Sequence, residues 1–142
     1  MPRVQLSKVD SFHRATRPIM SFVHAGREYQ PCHVWTGDEL LAVTPDIIVR
    51  YIKLKVYGSE DAQTDVTPPL YYRSSTIKFW KKAWSYFMLN QMTPWNKIAG
   101  MGNPTRSIAT NKIIKAMKKW SLHSWAALQT LVGHFDLWNT IR

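Results

Sequence analysis

Residues 74–89 read SSTIKFWKKAWSYFML, and this pattern predicts an amphipathic helix. Ser74 or Ser75 would cap its N-terminus, and the helix would end near Leu89. Apolar side chains recur at the spacing of one helical face, at Ile77, Trp80, Trp84, Phe87 and Met88. Aromatic side chains at this spacing are typical of a buried face, so we expect the segment to pack against other helices.

The remaining faces of this helix carry two other kinds of side chain. With a rotation of about 100° per residue, one adjoining face of the helix carries Ser85 and a cluster of three lysines, Lys78, Lys81 and Lys82. Phe79 and Tyr86 point away from the apolar face. We expect these two rings to close a second layer of core, and packing against a partner or a nucleotide is the alternative.

The segment before it contains the end signals of another helix. Thr44 suits an N-cap, Pro45 suits the first helical position, and Gly58 is a natural stop. A shorter helical piece is expected at residues 38–43. Residues 58–72 are predicted to form a loop, because their composition is rich in turn residues.

A further helix is predicted to begin at Ser107 and to end near Lys119. Its apolar residues point one way, at Ile113, Ile114, Met117 and Trp120. Three lysines stand at i, i+3 and i+7 on the opposite side: Lys112, Lys115 and Lys119. The apolar spacing of residues 122–132 predicts one more helix in the C-terminal tail.

These elements predict an all-α protein, a small bundle of about four helices. Residues 1–35 show no sustained periodicity and contain three prolines, so we expect an irregular N-terminal arm with at most one short helix. The helical domain would then span residues 36–120, and residues 121–142 would form a C-terminal helical tail.

Composition favours a folded, soluble, intracellular protein. Hydrophobic residues make up 45% and aromatic residues 13% of the 142-residue chain, which is ample for a core. The sequence contains no run of about 18 apolar residues and its N-terminal segment is charged throughout, so neither a membrane span nor a signal peptide is expected. The single Cys32 fits a reducing compartment. We expect an intracellular and, specifically, a nuclear location.

The positive charge of the chain is concentrated in one block. Residues 66–135 contain ten Lys or Arg and no acid, while the rest of the chain carries nine basic and nine acidic residues, so the block accounts for the net charge of +10. Most protein surfaces mix both signs. An acid-free block is typical of a surface that approaches a polyanion. A solvated helix face without a ligand is the plainer alternative.

Lysine-rich faces suit the phosphate backbone of nucleic acid, because an ammonium group lacks the planar fork that reads base edges. Such binding should be salt-sensitive and largely independent of sequence. Arg106, in the Gly/Pro-rich turn before the lysine-bearing helix at residue 107, is predicted to contact a phosphate beside free backbone N–H groups. The full set of predicted DNA-binding residues is Arg73, Lys78, Lys81, Lys82, Arg106, Lys112, Lys115, Lys118 and Lys119.

The sequence gives little support for a catalytic site or a metal-binding site. His24, Cys32 and His33 lie near one another, but no second cysteine or paired spacing accompanies them. His123, His134 and Asp136 lack a nucleophile or a Gly-rich phosphate loop. We therefore expect no enzyme activity, no metal, no cofactor and no small-molecule substrate.

Four motifs between Thr44 and Lys119 carry a family resemblance: RSST, WKKAWSYFM, PWN and GNPTRS, beginning at residues 73, 80, 94 and 102. Together they resemble the helical core-binding domain that precedes the catalytic domain of tyrosine recombinases (integrases) from Crypton-like mobile elements of algae and other protists. The resemblance covers about half of the chain.

This resemblance implies the DNA-gripping half of a C-shaped clamp on double-stranded DNA, together with self-association on the DNA. The basic residues named above would contact the DNA backbone. Recombinase chemistry needs a nucleophilic tyrosine with arginine, lysine and histidine in a second domain. Tyr86 is the last tyrosine, and only 23 residues follow Lys119, so we expect the catalytic half to be missing from this sequence.

Two other classes of function stay open. A helical protein–protein interaction module would use the aromatic surplus, with the basic charge serving solubility. A peripheral membrane protein is a weaker alternative, because the apolar helix faces are expected to pack against one another. No membrane partner is therefore expected.

Overall fold

The structure, a computed structural model, describes the backbone of residues 2–120 and the side chains of residues 8–120. In chain order, the helices are α1 (Pro2–Val23), α2 (Gly37–Leu41), α3 (Pro45–Tyr57), α4 (Ser74–Phe87), a 3₁₀ turn (Pro104–Arg106) and α5 (residues 108–120). Extended pairing within this part is limited to two isolated bridges. The predicted all-α fold is confirmed. The helix predicted at residues 122–132 and the tail of residues 121–142 lie outside the described residues.

The predicted irregular arm is wrong for residues 2–23, which form α1. The buried side chains of this helix follow a helical period, at Phe12, Thr16, Ile19 and Met20. Thr16 can occupy a core position because its hydroxyl donates to the Phe12 carbonyl at 2.6 Å. Pro18 lies on the exposed side of the helix, where its missing N–H is less costly than in the core.

The helix α3 agrees with its predicted end signals, and α2 lies where a short helical piece was expected at residues 38–43. The Thr44 hydroxyl accepts the backbone N–H of Ile47 at 3.4 Å, and Gly58 ends α3 with a φ of 82°. A capping box begins α2: the Thr36 hydroxyl accepts the Glu39 N–H at 3.2 Å, and the Glu39 carboxylate accepts the Thr36 N–H at 2.9 Å. The residues between α3 and α4 form the predicted loop.

Of the caps predicted for α4 and α5, one is wrong and one is confirmed. Ser74 is the first helical residue of α4, and the N-cap is Arg73, whose side chain makes no capping hydrogen bond. Ser107 does cap α5, because its hydroxyl oxygen accepts the Thr110 N–H at 3.1 Å. α5 extends to residue 120, the last described residue, so its predicted end near Lys119 falls at the limit of the described chain.

The core lies between α1, α3, α4 and α5. Trp84 is fully buried, and its indole N–H donates to the Ala15 carbonyl at 2.9 Å, which joins α4 to α1. Phe79 and Tyr86 lie against Phe12 of α1, with ring centroids 5.9 and 5.2 Å apart. Both rings are themselves exposed, at 41% and 46%, so they cover the buried Phe12 from the solvent side and the predicted second layer of core is not formed. This aromatic contact occupies one flank of α4 and leaves its lysine-bearing flank to α5.

The capping box of α2 makes stability depend on pH. The Thr36 N–H, and after it the His33 side chain at 3.0 Å, lower the pKa of Glu39 from 4.5 to about 2. A depressed pKa in the folded state adds stability above the unfolded-state pKa, and this stability is lost as the pH falls from about 4.5 towards 2. Glu39→Gln should therefore lower the free energy of unfolding near pH 6, and the deficit should shrink below pH 4.5 in urea titrations.

The matched control for this experiment is Glu28→Gln, which alters an exposed carboxylate in the preceding loop. Its free energy of unfolding should follow that of the unchanged protein across the same pH range. A Glu39→Gln deficit of constant size from pH 6 to about pH 2.5 would contradict the prediction, because it would reflect only the altered shape of the side chain.

Candidate nucleic-acid interface

Three side-chain contacts align α4 with the chain around α5. Lys78 and Lys118 are direct neighbours, the Lys81 ammonium donates to the Asn111 amide oxygen at 2.6 Å, and Asn103 Nδ2 donates to the Ser85 hydroxyl at 2.8 Å. The residue numbers rise along α4 while those of the partners fall. The two segments therefore run antiparallel, and their basic flanks meet along one seam.

Of the predicted basic residues, Lys78, Lys81 and Lys118 lie at this seam, and Arg106 lies near Lys81. Lys81 is half-buried within the seam, whereas the others are exposed, at Arg73, Lys78, Lys82, Arg106, Lys112, Lys115, Lys118 and Lys119. The apolar residues Ile113, Ile114 and Met117 are buried on the opposite side of α5. We call these nine residues the α4–α5 basic surface: contacts or charge interactions bring Lys78, Lys81, Arg106 and Lys118 together, and the other five are exposed on the same two segments.

Neighbouring positive charges affect the protonation of two lysines on this surface. Lys118 lowers the pKa of Lys78, first through a direct side-chain interaction and then through charge repulsion. Burial lowers the pKa of Lys81, and the charge of Arg106 adds to this effect. A bound anion would counteract both effects, because a nearby negative charge favours the protonated form of lysine.

The described ion pairs all involve cations from before residue 66. They join Arg14 to Asp10 at 2.8 Å, Arg50 to Asp46 at 3.1 Å and to Glu60 at 4.0 Å, and His33 to Glu39 at 3.0 Å. Among the residues that the structure describes, the cations of the acid-free block have no carboxylate partner. Their charge is therefore available to an external anion.

Arg106 departs from its predicted setting. The N–H groups expected to be free around it have intramolecular acceptors: that of Thr105 donates to the Asn103 side chain, that of Arg106 to the Asn103 carbonyl, and that of Ser107 to the Pro104 carbonyl. The prediction of free N–H groups at these positions is wrong. The Arg106 guanidinium donates through one nitrogen to the Met92 carbonyl at 2.6 Å, which leaves its other N–H groups for a ligand.

Asn103 organises this end of the surface and was missed as a functional residue in the sequence. It is fully buried. Its Nδ2 donates to Ser85 and, at 3.1 Å, to the Gln91 carbonyl, while its Oδ1 accepts from the N–H and hydroxyl of Thr105. The signal in the sequence was the Asn-Pro pair at residues 103–104, which favours a turn. Asn103 thereby fixes the turn that carries Arg106 against α4.

The other candidate sites gain nothing from the structure. Within residues 8–120, no three His, Cys, Asp or Glu side chains are arranged to hold a metal ion. His33 is engaged with Glu39, and Cys32 is exposed. His123, His134 and Asp136 lie outside the described residues. Of the helices described, none is long and apolar enough to cross a membrane.

No protein-family model matches this chain, and no similar curated protein or solved structure is found. The resemblance to a recombinase core-binding domain therefore stays a prediction from four short motifs. What the geometry adds is independent of it: an antiparallel pair of helical segments whose lysine-bearing flanks meet at Lys78 and Lys118 and at Lys81 and Asn111.

Proposed function

We propose that the α4–α5 basic surface binds double-stranded DNA through the phosphate backbone. In the fuller form of the proposal, the chain is the DNA-gripping half of a tyrosine recombinase-like protein in DNA integration or recombination, without catalytic residues of its own. The first statement rests on charge and geometry. The second adds the motif resemblance and depends on the first.

The observation that carries the proposal is the apposition of Lys78 and Lys118. Like charges in contact destabilise a fold, and here the described residues supply no carboxylate to offset them. A surface that keeps such a pair is suited to an external polyanion, whose phosphates would lie between the two ammonium groups and offset their repulsion.

The spacing of the α5 lysines also suits a phosphate backbone. Lys112 and Lys119 are seven residues apart, which is about 10 Å along a helix axis, and Lys115 lies between them. Along the duplex axis each strand presents one phosphate per about 3.4 Å, so a row of this length spans about three levels of the backbone.

Lys118→Gln should change DNA affinity and intrinsic stability in opposite directions. Loss of one phosphate contact should weaken binding and reduce the slope of log K against log salt by about one. Without DNA the variant should be more stable at neutral pH. A lysine whose pKa is lowered by folding opposes folding while it is protonated, and removing Lys118 relieves Lys78 of this effect.

Gel shifts of one duplex between about 50 and 200 mM salt measure the first effect, and urea unfolding measures the second. Lys55→Gln is the control, because it removes one exposed charge from α3, outside the block. Binding that does not depend on salt, or no binding by the unchanged protein at low salt, contradicts the proposal.

A helical protein–protein interaction module is the second candidate. It is favoured by large exposed apolar side chains such as Val34, Leu41 and Leu89, which lie outside the basic surface. Partner capture in nuclease-treated extract that survives loss of the α5 lysines would support this reading over DNA binding.

A further inference from the structure

Ile98 is an exposed isoleucine in the connection between α4 and α5. Ile98 is fully exposed and lies in the four-residue turn 97–100. Single exposed apolar residues are common on protein surfaces, so exposure alone carries no meaning here. What distinguishes Ile98 is how firmly its turn is held and which charges surround it.

The side chain of Asn96 closes the turn around Ile98. Its Oδ1 accepts the N–H groups of Ile98 and Ala99, both at 3.0 Å. The Asn96 backbone adds three more bonds: its carbonyl accepts the N–H groups of Gly100 at 2.8 Å and Met101 at 3.4 Å, and its N–H donates to the Met101 carbonyl at 2.7 Å. Ile98 therefore projects from a turn whose conformation is fixed before any ligand arrives.

The base of the turn is fixed equally well. The Asn103 N–H donates to the Thr93 carbonyl at 2.9 Å, and the buried Asn103 side chain ties this point to Ser85 of α4. Gly102 has a φ of 112°, and a Cβ there would overlap the Pro94 carbonyl oxygen. The close approach of the two strands of the loop therefore needs glycine at residue 102.

The turn is continuous with the basic surface. A groove of about 560 Å³ lies between the loop, the start of α3 and the start of α5, and Lys97, Ile108 and Lys112 line it. Asp46 also lines this groove, but it is paired with Arg50 at 3.1 Å. Lys97 therefore shares this groove with Lys112 of the α5 lysine row, and Ile98 is the next residue of the turn.

We infer that Ile98 is a wedge that inserts between base pairs of the DNA bound to the basic surface. Apolar side chains of this kind enter the minor groove, partly unstack one base step and bend the duplex. A fixed turn suits this role because little conformational freedom is lost when the wedge enters. Lys97 beside the wedge would contact the flanking phosphate. The inference rests on the proposed function and adds the mode of DNA contact.

The test uses the full 142-residue chain and a duplex with 2-aminopurine next to a flexible TA step. Wild-type binding should raise 2-aminopurine fluorescence, and a duplex with one mismatched pair, which unstacks more easily, should bind more tightly. Ile98→Ala should lose the fluorescence rise and the mismatch preference, and its affinity should fall about tenfold, with an unchanged salt slope. Val34→Ala, which alters an exposed apolar residue outside this groove and outside the basic surface, should retain all three properties.

The other outcomes overturn the inference in distinguishable ways. If wild type and Ile98→Ala bind DNA with the same salt-dependent affinity and neither raises the fluorescence, the wedge is wrong and the proposed function stands. If the protein does not bind DNA at low salt, both the wedge and the proposed function are wrong. If Ile98→Ala loses co-sedimentation with anionic phosphatidylserine vesicles while its DNA binding is unchanged, the occupant of the turn is a lipid surface and the wedge is wrong.

Discussion

Changing Lys112, Lys115 and Lys119 together to glutamate should abolish DNA binding at moderate salt. All three side chains are exposed on the outward side of α5, so the helix and its buried face should remain intact. Each change replaces an attraction to phosphate with a repulsion. We expect affinity to fall at least about 100-fold and the salt slope to decrease by about three. Gel shifts over a salt series measure both, and far-ultraviolet circular dichroism checks the helicity.

The control is a second triple variant with the same net charge. Each Lys or Arg to Glu change removes two units of charge, so three changes lower the net charge from +10 to +4 in either variant. Lys8, Arg27 and Lys55 are exposed and lie outside the acid-free block. Their replacement by glutamate should weaken binding far less. Equal losses in the two variants would show that only total charge matters and that the α4–α5 basic surface has no special role.

Local end signals account for the part of the fold that was predictable. Thr44, Gly58 and Ser107 act through hydrogen bonds or backbone angles within a few residues, so the sequence shows them directly. The helix α1 was missed because two of its core-facing positions are Ala15 and Thr16, which read as polar or neutral. The burial of Thr16 becomes acceptable only once its hydroxyl bonds to the helix backbone.

The candidate site was predictable as a set of residues but not as a surface. Periodicity shows which lysines share a face of one helix, and their exposure agrees with that prediction. It cannot show that Lys78 meets Lys118 or that Lys81 reaches Asn111, because those pairs depend on how two distant segments align. The setting of Arg106 was wrong for a local reason, since Asn103 and Pro104 accept the N–H groups of residues 105–107 that were expected to be free.

Asn103→Ala should lower the free energy of unfolding by about 3 kcal/mol. The substitution removes two donor and two acceptor interactions of a fully buried amide, and a buried partner left unsatisfied costs about 1–3 kcal/mol. The Ser85 and Thr105 hydroxyls can turn towards other acceptors, whereas the Thr105 N–H has no such freedom. Urea unfolding at neutral pH measures the loss, and Asn90→Ala, which alters an exposed asparagine of the same connection, should cost less than about 0.5 kcal/mol.

The same substitution should also separate support of the surface from direct contact with DNA. Asn103 is buried and cannot touch a phosphate, yet it holds the turn of Arg106 and the base of the Ile98 loop against α4. Under conditions where the variant is still folded, it should bind DNA more weakly. The slope of log K against log salt should fall by at most about one, because only the phosphate contact of Arg106 would be lost. A variant of lowered stability with wild-type affinity and slope would show that the rows of lysines bind DNA without help from this turn.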